Sequence, residues 1–211
     1  MKEFTVSMAL VDFIPVILFA IGAILLQRDL YNKMSKGAFA LFAAGTIDVI
    51  CAGVLKALYK LLYAAGVCDF SPLNAMFFPV QSIGFLLAGI GVVAMLVHKQ
   101  GETLPAVAAA PAAFSGTFVF VGLMVAGLGC MDFGLAALAK KLKKPAAIVL
   151  LIVSFVLSLG MGYLSSKNFE QASMNWIAEG VNVCGQLCFF LAAFVMHKAG
   201  LKELRLERGT K

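Results

Sequence analysis

The sequence predicts an all-α integral membrane protein with several transmembrane helices. Of its 211 residues, 62% are hydrophobic and only 13% are charged, a composition outside the usual range of soluble globular domains. The hydrophobic residues form runs of about 20 residues, the length that a helix needs to cross the hydrocarbon core of a bilayer. The longest clearly polar stretch is the tail at residues 197–211. We therefore expect the protein to act within or at the membrane.

Short polar loops divide the chain into six apolar segments that are long enough to span a bilayer. The stretch from residue 104 to residue 139 carries a single charge, and it is too long for one span and too short for two. Because Pro105 and Pro111 interrupt its beginning, we predict a short re-entrant or transmembrane segment at residues 104–115. The six full spans are predicted at residues 8–27, 37–58, 74–97, 117–137, 145–164 and 174–196.

The two halves of the chain resemble each other in sequence. Two series of residues recur, each at a constant offset: Leu30, Lys33 and Lys36 match Leu138, Lys141 and Lys144, while Asn74, Val80, Gln81 and Gly84 match Asn175, Val181, Asn182 and Gly185. We interpret them as two three-helix repeats, a plan found in several transporter folds. Chance similarity between leucine-rich helices is the alternative. The predicted division is a first half at residues 1–99, a linker or short segment at 100–116, a second half at 117–198 and a basic tail at 199–211.

The net charge of +6 indicates topology rather than nucleic-acid binding, because the basic residues cluster in short loops and in the tail. Positive loops normally lie on the cytoplasmic side and contact anionic lipid headgroups. We predict a multi-pass protein of the cell (cytoplasmic) membrane with a cytoplasmic C-terminus. Six spans would make the halves inverted, whereas seven would make them parallel and would bring the loops at 28–36 and 140–144 to one side. Lys56 and Lys60 are expected to snorkel towards the interface at the end of the second span.

Polar side chains in the last span point to a site inside the bilayer. Trp176, Glu179, Asn182 and Gln186 fall within an arc of about 120° on one helix face. An ionised carboxylate facing lipid is costly, so such a face normally lines a bundle interior or a wet cavity. Two alternatives stay open: Glu179 reaches interfacial water, and the two amides serve as hydrogen bonds between helices.

The repeat extends this site to the third span. Gln81 occupies the repeat position of Asn182, and Asn74 lies on nearly the same helix face as Gln81. These residues would form a polar slot between the halves, although a packing seam fits the same pattern. We therefore assign solute binding to Asn74, Gln81, Trp176, Asn182 and Gln186.

Ion or proton coupling is assigned to the carboxylates within the spans. Asp48 is the most deeply placed of them and has no basic residue within one helical turn, so it needs a partner on another helix, a cation, water or a proton. We assign coupling to Asp48 and Glu179. Asp12 and Asp132 are weaker candidates, because both lie nearer to the ends of their spans, where an interfacial position is the alternative.

No catalytic motif, cofactor site or metal site is predicted. The sequence lacks zinc-protease, serine-hydrolase and phosphate-loop motifs. Of its five cysteines, Cys184 and Cys188 are four residues apart; they are interpreted as small buried hydrophobic residues, because no histidine or third cysteine lies at metal-binding spacing.

These observations favour a small transporter or solute-binding membrane protein over an enzyme. The expected partners are membrane lipids and a small solute or cation, with no nucleic acid and with homo-oligomerisation as a possibility. Two alternatives remain: a lipid-acting intramembrane enzyme that uses Asp12 and Asp132, and a non-catalytic subunit of a larger membrane complex.

Overall fold

A computed structural model describes residues 5–97, 117–165 and 172–206, and these residues are almost entirely helical, with no strand among them. The predicted all-α fold is confirmed. The helices are α1 (Val6–Val11), α2 (Phe13–Leu30), α3 (Lys36–Ala65), α4 (Pro72–Ala75), α5 (Phe77–Val97), α6 (Thr117–Lys141), α7 (Pro145–Ser165) and α8 (Ala172–Lys198), followed by a short 3-10 helix at Leu201–Glu203. The segment predicted at residues 104–115 lies outside the described residues.

Within the described residues, five helical segments are long and apolar enough to cross a membrane: Val6–Leu30, Lys36–Ala65, Pro72–Val97, Val119–Lys141 and Met174–Lys198. A further apolar helix is described over Pro145–Met161. This pattern is that of a multi-pass membrane protein.

Two prolines explain why α1 and α2, and likewise α4 and α5, are separate helices. A proline has no backbone N–H, so it leaves the carbonyl four residues earlier without its helical hydrogen bond. Pro15 follows the break at Asp12, and Pro79 follows the break at Met76. The first break positions the Asp12 side chain at the beginning of α2.

The long helices form a closed ring. α2 contacts α3, α3 contacts α5, α5 contacts α6, α6 contacts α7, α7 contacts α8, and α8 returns to contact α2. Glycines permit the closest approaches. A Cβ atom built at Gly45 of α3 would overlap backbone atoms of Gly84 and Ala88 in α5, and one built at Gly127 of α6 would overlap the α5 backbone at Leu86.

The contacts between helices also give their directions. Gly89 lies against Cys130, and Gly134 lies against Val92, so residue numbers rise together along α5 and α6. These two helices are therefore parallel. It follows that α5 ends and α6 begins at opposite ends of the bundle.

α2 and α8 are parallel as well. Gly22 lies against Phe189 near the middle of both helices. Further along both chains, Asp29 near the end of α2 contacts His197 near the end of α8. The described chain therefore starts at one end of the bundle and finishes at the other.

We call the end of the bundle where α1 begins and α3 ends the N-terminal end. We call the opposite end the basic end; it carries the turns at residues 31–35 and 142–144 and the tail after α8. At the basic end the Asp29 Oδ2 atom lies 2.8 Å from His197 Nδ1. Arg28 contacts His197 Nε2 at 3.0 Å. Since arginine can only donate, Nε2 accepts and Nδ1 carries the proton that is donated to Asp29.

The tail is held at the basic end by a lysine from the turn between α2 and α3. Lys33 Nζ donates to the carbonyl oxygens of Lys202 at 2.9 Å and of Leu204 at 2.5 Å. Leu201 is fully buried beside the ends of the helices. The residues just after α8 are therefore packed against the bundle rather than extended away from it.

Candidate functional site

A cavity of about 360 Å³ lies inside the ring, towards the N-terminal end, and every long helix contributes to its wall. Its apolar lining includes aromatic and methionine side chains from α2, α5, α6 and α7. Its polar lining consists of Asp12, Lys56, Lys60, Asn74, Gln81, Ser158, Asn175, Glu179, Asn182 and Gln186.

Three charged side chains, from α3, from α8 and from the break between α1 and α2, meet in this cavity. Lys60 Nζ of α3 lies 2.5 Å from Asp12 Oδ2 and 3.9 Å from Glu179 Oε2 of α8. The three side chains are only 14%, 8% and 6% exposed, in the order Lys60, Asp12 and Glu179. We call this group the ion bridge. It joins both carboxylates to one ammonium, and because all three side chains are largely buried, each charge depends on the others for its compensation.

Two oxygens of the ion bridge are buried without a hydrogen-bond partner in the described residues: Asp12 Oδ2, which forms the shorter ion pair with Lys60, and Glu179 Oε1. Glu179 Oε1 is buried and accepts no hydrogen bond, while its second oxygen faces Lys60 at the longer of the two ion-pair distances. A buried carboxylate oxygen without a donor is unfavourable. Glu179 Oε1 is therefore a position where a proton or a ligand donor would be accommodated.

A second lysine lies one turn earlier on the same helix. Lys56 Nζ is 4.0 Å from the centroid of the Phe77 ring, which is a cation–π contact. Among the described residues Lys56 forms no salt bridge of 4.0 Å or less. Lys56 and Lys60 both line the cavity, because residues four apart share a helix face.

The structure brings together most of the residues that the sequence nominates. Those that line the cavity are Asp12, Asn74, Gln81, Glu179, Asn182 and Gln186. The amides come from α4, α5 and α8, and the carboxylates come from the α1–α2 break and from α8. Gln81 and Asn182, which occupy matching positions of the predicted repeat, contribute to one cavity from different helices.

Three nominated residues lie elsewhere. Trp176 is 44% exposed on the outside of α8; it is at the edge of the polar arc, about 60° from Glu179. Asp48 is half-buried beside Gly84 of α5, about 100° around α3 from the cavity residue Val49. Asp132 is 1% exposed, and neither of its carboxylate oxygens has a hydrogen-bond partner in the described residues. It follows Leu128 of the cavity wall by one turn, towards the basic end.

Sequence reasoning missed Lys56 and Lys60, which were expected to snorkel to the interface. Both instead line the cavity, and Lys60 pairs with carboxylates from two other helices. One signal was available: two lysines four residues apart share one face of an otherwise apolar helix. Their partners lie far away in sequence, so the pairing itself was not visible.

Comparisons of this chain with models of protein families, with curated protein sequences and with solved structures find no match. The cavity and its side chains are therefore the features of this protein that indicate a function.

The ion bridge makes a prediction about stability. Lys60→Met would leave Asp12 and Glu179 buried without their shared cation, and we expect it to destabilise the folded protein by about 3–5 kcal/mol. Adding Lys56→Met, Asp12→Asn and Glu179→Gln to Lys60→Met should recover most of this loss, because none of the four cavity charges then remains. The measurement is unfolding in detergent micelles. Lys140→Met, at an exposed position of the basic end, is the matched control, and equal stability of Lys60→Met and Lys140→Met would contradict the prediction.

Proposed function

We propose that the protein is a small transporter or solute-binding membrane protein whose site is the polar cavity within the ring. The observation that carries this proposal is that ten polar or charged side chains, including the ion bridge, converge on one cavity in an otherwise apolar bundle. Charged groups at membrane depth are costly and typically mark the path of a solute or ion. Packing alone would be served better by apolar side chains of similar volume.

The roles follow from the chemistry of the lining. Amides donate and accept hydrogen bonds at once, so Asn74, Gln81, Asn182 and Gln186 are assigned to solute binding. Glu179, with its unpartnered oxygen beside Lys60, is assigned to ion or proton coupling. Trp176 and Asp48 do not line the cavity and receive no role in it.

We also propose that the chain consists of two parallel three-helix halves. The supporting contacts recur in both halves, at the same residue offsets that relate the two halves in the sequence. Gly84 of α5 lies against Val49 of α3, and the matching Gly185 of α8 lies against Leu157 of α7. Such recurrence is not expected from chance similarity between leucine-rich segments.

The contacts between the halves support the same proposal. Gly89 of α5 lies against Cys130 of α6, and at the same offsets Gly22 of α2 lies against the Phe190 backbone of α8. The third helix of each half thus contacts the first helix of the other. The halves then relate by an approximate two-fold axis along the bundle, and the cavity lies between them.

Parallel halves agree with the directions of α5 and α6, which are parallel to each other. The described Lys and Arg residues are distributed very unevenly between the ends of the bundle. At the N-terminal end they are Lys56 and Lys60 of the cavity, and at the basic end they are Arg28, Lys33, Lys36, Lys140, Lys141, Lys143, Lys144, Lys198, Lys202 and Arg205. By the positive-inside rule the basic end is cytoplasmic, together with the C-terminus, and it faces anionic headgroups of the cell membrane.

No observation favours a lipid-acting enzyme built on Asp12 and Asp132. Asp12 contacts Lys60 at the N-terminal end of the bundle. Asp132 lies on α6 close to Gly134, which contacts Val92 of α5. The neighbouring Gly91 of α5 contacts Phe42 of α3, so Asp132 lies at the level of Phe42. The helical rise separates these two levels by about 27 Å, too far for two carboxylates to act on one bond.

The topology is tested by cysteine labelling in a background without native cysteines. Asn32→Cys, after α2, and Lys141→Cys, at the end of α6, are exposed positions that should lie on the same, cytoplasmic side. We expect both to react with a membrane-impermeant thiol reagent only after cells are permeabilised. The native Cys68, exposed after α3, should react in intact cells when it is retained alone. Labelling of Asn32→Cys and Lys141→Cys from opposite sides would instead establish inverted halves.

Ligand binding is tested by a thermal-shift screen of the purified protein against small solutes and cations. A ligand of the folded state at 100 times its Kd adds about 2.7 kcal/mol of stability. We expect at least one solute to raise the unfolding temperature, and we expect Glu179→Gln and Asn182→Ala to abolish this effect. Glu203→Gln, an exposed carboxylate in the tail, should leave it intact. If no compound stabilises the protein, the non-catalytic subunit becomes the better hypothesis.

A further inference from the structure

We propose that the solute of this cavity is a small organic carboxylate that binds to Lys56 and enters together with one proton. This inference rests on the proposed function, and it specifies the chemistry of the ligand. It is carried by the different environments of the two cavity lysines, by the lining around them and by the charge balance of the four ionisable groups.

The two lysines differ in their partners. Lys60 lies between Asp12 and Glu179, both within 4 Å. Lys56, one turn away, contacts the face of the Phe77 ring at 4.0 Å and has no carboxylate within salt-bridge distance in the described residues. A cation–π contact is weaker than a salt bridge in a desolvated site. The Lys56 ammonium is therefore the cavity group best suited to bind an incoming anion.

The rest of the lining indicates an organic anion rather than an inorganic one. The cavity volume of about 360 Å³ is in the range of sites for small organic ligands. Besides Lys56 the wall contains both amides and aromatic side chains, such as Phe78 and Phe85. The carboxylate would thus bind to Lys56, while the remainder of the molecule contacts rings and exchanges hydrogen bonds with Gln81 and Asn182.

Charge balance adds the proton. When Asp12, Glu179, Lys56 and Lys60 are all ionised, their charges sum to zero. A bound carboxylate adds one negative charge to a space where charges are poorly screened. One proton taken up from solvent by the Glu179 carboxylate restores neutrality, and Glu179 Oε1 is buried without a hydrogen-bond partner in the described residues. Asp12 keeps its shorter contact with Lys60 and remains ionised.

The first experiment compares matched probes on the purified full-length protein. Butyrate and benzoate are the carboxylates, butyramide and benzamide the neutral isosteres, and butylamine and benzylamine the cations. Binding is measured by calorimetry. We expect the carboxylates to bind, and we expect the isosteres and the amines to bind at least about 30-fold more weakly. Lys56→Met should remove this preference, Lys56→Arg should keep it, and Lys140→Met on the surface is the matched control.

Proton uptake is measured from the same titrations in buffers that differ in ionisation enthalpy. We expect one proton to be taken up for each carboxylate bound by the wild type. With Glu179→Gln we expect none.

The outcomes separate this inference from the proposed function. Binding of amines or amides that is insensitive to Lys56→Met would overturn the carboxylate assignment and leave the cavity as a solute site. Carboxylate binding without proton uptake would overturn the proton step alone. If none of the six probes and no compound in the wider screen binds, both the inference and the proposed function fail. The wild-type comparison between carboxylates and amides decides the question even if Lys56→Met does not fold.

Discussion

The salt bridges of Lys60 with Asp12 and Glu179 are the interaction on which this account depends. They tie α3 to the break between α1 and α2 and to α8, in a bundle whose other interior contacts are mostly apolar. Removing any one of the three groups would leave a buried charge without compensation, which costs far more than a neutral substitution. The ion bridge thus holds α3, α8 and the break between α1 and α2 together at the N-terminal end.

The cavity exists because the helices meet closely elsewhere. Glycines bring α3 onto α5 and α5 onto α6, and towards the basic end the interior is filled by buried side chains such as Leu135, Leu138 and Met196. At the N-terminal end the interior instead receives lysines, carboxylates and amides. The bundle is therefore closed by apolar packing at the basic end and is polar at the other. Asp132 is buried on the closed side of the cavity wall.

The sequence predicted the class of fold and much of the site, because both depend on local patterns. Apolar length alone identifies membrane helices, and the helical period alone puts Glu179, Asn182 and Gln186 on one face, where they line the cavity. Gln81 and Asn182, which the predicted repeat offset associates, both line the cavity. The helical period does not predict which edge of the polar arc faces outward. Trp176 lies at the edge that does.

The unpredicted part of the site depends on contacts between distant helices. Lys60 looks like an interfacial lysine until Asp12 and Glu179 are brought to it, and no local pattern contains that pairing.

Asp48 illustrates the reverse case. It is the deepest carboxylate by sequence position, but the rotation of α3 that directs Lys56 and Lys60 into the cavity turns Asp48 away from it, towards Gly84 of α5. Helix rotation is set by the glycine contacts of the whole ring, which a single segment does not encode.

The central claim is that a water-accessible polar cavity lies between the helices, rather than a dry packing seam. Cysteine accessibility tests it most directly, with Gln81→Cys and Asn182→Cys in a background without native cysteines and a small water-soluble thiol reagent. The account predicts that both variants react when the reagent is applied from the N-terminal end. Ile177 is on the outer face of α8 and is 53% exposed in the isolated bundle. Ile177→Cys should not react, because lipid covers this face. If Gln81→Cys and Asn182→Cys react no more than Ile177→Cys does, the result contradicts a water-accessible cavity and indicates a packing seam instead.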